Sequence, residues 1–95
     1  GSYDPFLFLY NIMAKIPATT TIYTRNGCPY CTKIKEVYNM NRWSYNEMKL
    51  DVNFGRDAFY QEFGDGSTFP QVVMNGDQLG GCSETVTYLR EQSII

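Results

Sequence analysis

The sequence predicts a single α/β domain in which helices sandwich one small sheet. Three observations lead there. The 95 residues fit one domain, and a chain of that size hides ~60–70% of its unfolded surface on folding. The composition is 43% hydrophobic, 16% aromatic and 19% charged, which excludes a disordered charged tail. Short β-branched or apolar runs also alternate with stretches of helical period, the interleaving that builds an α/β core.

Gly1–Ser2 reads as a tag remnant and carries no fold information. From Pro5 to Ile16 the chain is mostly apolar, and Phe6, Leu9, Tyr10 and Met13 recur at helical spacing. This predicts a short amphipathic helix or arm over residues 1–18, ahead of a domain over residues 19–95. The run is too short to cross a bilayer. It has no basic segment before it and no cleavage site after it, so it does not read as a secretory signal. Met13-Ala14-Lys15 has the look of a natural start.

Thr19 to Thr24 is β-branched with one aromatic, and predicts a strand. Arg25-Asn26-Gly27 is a turn, and the helix after it carries Ile34, Val37 and Tyr38 on one face. Trp43 to Leu50 reads as a second strand. Asn53 to Phe63 reads as a helix, with Asn53 as its N-cap, Phe59 and Phe63 on one face and Gly64 as its stop. Gln71 to Met74 is a third strand. Asn75-Gly76 is a hairpin signal, because a type I′ turn needs positive φ at both central residues. Gln78-Leu79 is a short fourth strand that Gly80-Gly81 ends. Ser83 is read as the cap of a last helix bearing Val86 and Leu89, with Glu84 in its first turn.

Charge and residue usage narrow the chemistry. The net charge is −2, without the basic field of a nucleic-acid binder. There is no His, so the commonest general base and the commonest zinc ligand are both missing. Three cysteines, Cys28, Cys31 and Cys82, are too few for a disulfide scaffold and do not complete a usual zinc site. No metal is expected.

Cys28-Pro29-Tyr30-Cys31 is the informative segment. A cysteine between a strand-turn and a helix sits at the positive helix end, where free N–H groups favour thiolate over thiol. A partner three residues on lies one helical turn away, within reach of a disulfide. Pro29 suits the first turn, because its missing N–H had no partner there. Cys28 is therefore the candidate nucleophile and Cys31 the candidate resolving thiol. Arg25, Lys33 and Lys35 add positive charge nearby. Two readings stand against a redox dithiol: a pair of buried structural cysteines, or half of a metal or iron–sulfur site completed by another chain.

Thr24-Arg25-Asn26-Gly27-Cys28-Pro29-Tyr30-Cys31 resembles the active-site segment of dithiol glutaredoxins. Thr68-Phe69-Pro70 resembles their T-V-P segment, and Gly80-Gly81-Cys82-Ser83-Glu84 their G-G-C-D-D or G-G-x-S-D segment. The three motifs occur in the family's order and spacing between about Thr20 and Ile95. The resemblance implies a thioredoxin-like three-layer sandwich, with a four-stranded mixed sheet flanked by helices and here an extra N-terminal helix or arm. It also implies that glutathione binds beside the dithiol as reductant. Pro70 would follow a cis bond and leave the Phe69 backbone to pair with the cysteinyl part of glutathione. Gly80 and Gly81 would let the backbone come close. The N–H of Cys82, with Ser83 and Glu84, would meet the γ-glutamyl end at a helix N-terminus. Arg25 would attract the glycyl carboxylate, and Tyr30 would flank the groove.

This chain departs from the family pattern in several places. Glu84 is one methylene longer than the usual Asp. Phe69 is larger than Val, and would narrow the groove or add apolar contact. Asp57, with Arg56 beside it, stands where the family often offers Gln or Arg to the glycyl carboxylate. Cys82 reads as a spectator thiol near the groove.

The function expected on this reading is glutathione-dependent reduction of protein disulfides and of glutathionylated proteins. Ribonucleotide reductase is a common client of the family. Two alternatives remain open: a dimer holding an iron–sulfur cluster through Cys28 and glutathione, and a redoxin that works without glutathione. A cytoplasmic monomer that binds neither nucleic acid nor membrane is the expected setting.

Overall fold

The structure is a computed structural model, and it describes residues 17–92 and Ile94. The amphipathic helix expected at residues 5–16 lies outside them. The elements run β1 (Thr20–Thr24), α1 (Pro29–Met40), β2 (Asn46–Lys49), α2 (Arg56–Phe63), β3 (Gln71–Met74), β4 (Asp77–Gly80) and α3 (Cys82–Glu91). The four strands form one mixed sheet in the order β2-β1-β3-β4. β1 pairs parallel with β2, while β3 pairs antiparallel with both β1 and β4. A parallel pair needs a long crossover, and α1 supplies it. The β3–β4 hairpin turns at Asn75 and Gly76, with φ of 51° and 86°, as the Asn-Gly signal predicts.

Alternation along β1 sorts the core into two layers. Ile22 faces one side, opposite Val72 in register, and packs with Ile34 and Tyr38 of α1 and Leu89 of α3. Tyr23 faces the other side and meets Phe54 and Phe63 edge-on at 5.4 and 4.9 Å. Phe59, buried on α2, stacks against Phe54 at 5.8 Å in this second layer. Helices thus cover both faces, and the expected three-layer sandwich is the fold observed. The buried Tyr38 hydroxyl lies 3.0 Å from Thr20 Oγ1, which itself donates to the Ala18 carbonyl at 2.7 Å. The Thr20 proton is committed there, so Tyr38 is the donor. Burial pushes the Tyr38 phenol up from its ordinary range.

Two local expectations are corrected. The second strand begins at Asn46, not Trp43. Helix α1 closes with Arg42 at φ 58°, with Arg42 N–H on the Asn39 carbonyl and Trp43 N–H on the Tyr38 carbonyl. This Schellman closure uses the Trp43 backbone, while the Trp43 and Tyr45 rings cap Tyr38 edge-on. Helix α2 is capped by Gly55 rather than Asn53. The Asn53 side chain instead accepts the Lys49 N–H at 2.9 Å and secures the end of β2.

Candidate active site

Cys28 is the N-cap of α1, in extended conformation, and Pro29 takes the first helical position. One turn on, Cys31 has its Cα 5.2 Å from that of Cys28, and the two are joined as a disulfide. The Cys28 Sγ also accepts the Cys31 N–H at 3.1 Å, so a helix donor that would lack a partner points at this sulfur. Cys28 is 6% exposed and Cys31 2%. No carboxylate stands in the first turn of α1 to oppose negative charge there.

Two depressions lie at the Cys28–Cys31 segment, one lined by Tyr30 between the cysteines and the other by both cysteines. The first is a groove of about 320 Å³ lined by Tyr30, Thr68, Phe69, Pro70, Gly80, Gly81, Cys82, Ser83 and Glu84, together with Gln71. Three segments far apart in sequence therefore meet as the motifs imply. The Phe69–Pro70 bond is cis. Among the described residues, no backbone–backbone hydrogen bond of a turn or loop uses the Phe69 main chain. The Phe69 ring stacks on Phe59 at 4.2 Å and 13°, and on Phe54 at 6.1 Å. The larger residue at this position thus anchors the groove wall to the second core layer.

At the far wall the helix is capped by Gly81, and Ser83 is its second residue rather than its cap. The Glu84 carboxylate turns back to accept the Gly81 N–H and the Ser83 hydroxyl, both at 3.1 Å. Its own backbone N–H and these contacts hold the carboxyl below its ordinary range. The glycine pair makes room for this side chain. A Cβ on Gly80, whose φ is 103°, would lie 3.2 Å from the Glu84 Cβ, and one on Gly81 would lie 3.1 Å from its carboxylate. Cys82 is the one free thiol among the described residues; burial pushes it up from its ordinary range.

The second depression, about 420 Å³, has Cys28 and Cys31 in its wall together with Arg25, Lys35, Glu47 and Lys49. Arg25 opens here and does not line the groove. Its guanidinium donates to the Asn26 and Gly27 carbonyls at 3.1 and 3.4 Å. Lys35 pairs with Glu47 at 3.0 Å, and the Thr24 hydroxyl donates to the same carboxylate at 2.7 Å. The Thr24 bond first, then Lys35, holds the Glu47 carboxyl below its ordinary range. Sequence reasoning named Lys35 but missed Glu47 and Lys49, because only the β1–β2 pairing brings them beside the disulfide. Arg56 lines neither depression, and Asp57 lines a separate hollow with Tyr60, Gln61 and Asp65.

Comparison with known proteins fits this geometry. Residues 20–79 match the family model described as Glutaredoxin. Glutaredoxin 1 of Rickettsia typhi is 33% identical over 69 residues, which span 70% of this chain and 65%, just under two thirds, of that relative. The crystal structure of glutaredoxin 1 from Francisella tularensis superposes with a TM-score of 0.66 at 31% identity, over 77% of this chain and 93% of that one. A buckwheat glutaredoxin–glutathione complex shares the fold at 20% identity, with a TM-score of 0.67 over 95% of this chain and 84% of that one. With its cysteine pair at the head of α1, a cis proline opening β3 and a thioredoxin-like sheet between helices, the chain belongs to the glutaredoxin family.

Proposed function

We propose that this chain is a glutathione-dependent thiol–disulfide oxidoreductase that reduces protein disulfides and glutathione mixed disulfides. The observation that carries the reading is the Cys28–Cys31 pair at a helix N-terminus, with Tyr30 between the two cysteines lining a groove that the Thr68–Pro70 and Gly80–Glu84 segments build. Cys28 is the nucleophile: the Cys31 N–H and the helix end stabilise negative charge on its sulfur. This supplies the activation that a chain without His cannot obtain from imidazole.

In the reduced protein the Cys28 thiolate attacks a substrate disulfide, forms a mixed disulfide and releases one substrate thiolate, which takes up a proton. Cys31 then loses its proton and displaces the second substrate sulfur. Two electrons have passed, and Cys28–Cys31 is left oxidised. Two glutathione molecules restore the dithiol and leave as glutathione disulfide. The groove seats a glutathionyl group on Cys28. The Phe69 main chain pairs with its cysteinyl unit, the N-terminus of α3 receives the γ-glutamyl carboxylate, and Glu84 meets the ammonium. Arg25 attracts the glycyl carboxylate across Cys28. The glutathione complex of the buckwheat glutaredoxin supports glutathione as the partner.

The test is a coupled assay with glutathione and glutathione reductase. Cys28→Ser is expected to lose all turnover. Cys31→Ser is expected to keep turnover of a glutathionylated substrate and to lose reduction of a protein disulfide. Equal loss in both variants with both substrates would overturn the assignment of roles.

A further inference from the structure

Arg25 apart, the residues of the second depression are not explained by glutathione binding in the groove. Its walls come from two stripes. Cys28, Thr32 and Lys35 follow one another at helical spacing along α1, and Glu47 and Lys49 share a face of the edge strand β2. Thr24↔Lys49 is a register pair of the parallel strands, so Lys49 sits where β1 runs out toward Arg25 and the disulfide. Three cations and one carboxylate therefore surround this mouth, a local charge of +2 in a chain whose net charge is −2. The groove lined by Tyr30 has Glu84 as its single charged side chain.

The cations do not converge on one point. Glu47 stands among them and holds Lys35 at 3.0 Å, Arg25 is turned onto its own loop, and Lys49 makes no ion pair among the described residues. Spaced cations at the mouth of a basin of about 420 Å³ suit several carboxylates carried along one chain better than a single small anion.

We propose that this basin docks an acidic segment of the protein substrate, so that the enzyme favours protein disulfides flanked by Asp or Glu. The proposal rests on the oxidoreductase reading and deepens it. Glutathione occupies the groove on the α3 side, and the substrate polypeptide approaches over Lys35 and Lys49 on the β2 side. The chemistry is unchanged: the dithiol is oxidised, the substrate disulfide is reduced to two thiols, and glutathione restores the dithiol. The basin acts on encounter and orientation, where complementary charge raises association rates by ~10–10³-fold and loses its effect in salt.

The experiment compares two peptides that carry the same internal disulfide, one flanked by Glu and one by Lys, with a small glutathione mixed disulfide as control. At low salt the wild-type protein is expected to reduce the Glu-flanked peptide roughly tenfold faster in kcat/KM, within the range for steered encounters. Lys49→Glu is expected to abolish that preference while changing turnover of the small substrate less than about twofold. Glu47→Gln, which removes the one opposing charge, is expected to widen it, and salt at about 0.5 M to erase it. Equal rates for the two peptides with the wild-type protein, or an unchanged preference in Lys49→Glu, would overturn the docking proposal while the control shows the enzyme active. No turnover of any substrate would overturn the oxidoreductase reading, and the docking proposal with it.

Discussion

Replacing Phe59 by leucine will loosen the wall of the groove without unfolding the domain. Phe59 is 2% exposed and stacks on the Phe69 ring at 4.2 Å and 13°, with Phe63 at 4.9 Å and Phe54 at 5.8 Å. Alanine would cost ~3–5 kcal/mol, a large share of a domain stability of ~5–15 kcal/mol. Leucine keeps most of the volume, so the change of shape costs up to ~1.5 kcal/mol, and losing the close Phe69 stack adds ~0.5–1.5 kcal/mol. The sum is about 0.5–3 kcal/mol, or a fall in Tm of at least ~2 °C for a domain of this size. Urea or thermal melts of F59L, F69L and the double variant isolate the stack, with an expected coupling of ~0.5–1.5 kcal/mol. The same coupling reaches function, because the Phe69 main chain is the proposed partner of glutathione. F59L is expected to raise the KM for a glutathione mixed disulfide several-fold and to change kcat less. Additivity within ~0.3 kcal/mol, with an unchanged KM, would refute the idea that α2 positions Phe69.

Two further outcomes follow from the far wall and the edge strand. Gly80→Ala places a Cβ 3.2 Å from the Glu84 Cβ at a φ of 103°, and is expected to cost ~1–3 kcal/mol in a urea melt and to weaken glutathione binding in a titration. Acid should also destabilise the protein through Glu47 and Glu84. Both carboxyls are held below their ordinary value of 4.5 in the folded chain, Glu47 first by the Thr24 hydroxyl and Glu84 first by its own N–H. A lowered folded-state pKa contributes stability above the unfolded value and loses it as pH falls through the folded one. Denaturant midpoints of wild type and Glu47→Gln should therefore differ at neutral pH and converge below the folded-state pKa; a constant gap would contradict this.

Much of the site was readable from local chemistry. Pro29 suits the first helical turn, where a missing N–H costs nothing, so Cys28 was expected at the start of the helix, and the structure makes it the N-cap. Asn75-Gly76 could turn only with positive φ, and this set β3 against β4. Such signals act within about four residues, on dihedral angles and on the hydrogen bonds next to them. The same locality explains the misplaced caps. Asn53 and Ser83 are good N-cap residues, but Asn53 was claimed by the Lys49 N–H and Ser83 by the Glu84 carboxylate. The Trp43 backbone went to closing α1 rather than to the sheet.

By itself the sequence determined the dithiol, its place at a helix end, the order of strands and helices and, through three motifs, the family. The tertiary structure alone decided what stands beside the disulfide. The Phe69 ring stacks on Phe59 behind the groove wall, since the strand alternation that sends Ile22 to one face leaves an aromatic layer on the other. Glu47 and Lys49 reached the disulfide because β2 pairs parallel to β1, which aligns the end of one strand with the end of the other. Charge within a segment can be counted from the chain. Which charges share one mouth depends on strand order and register, which are set by packing across the whole sheet.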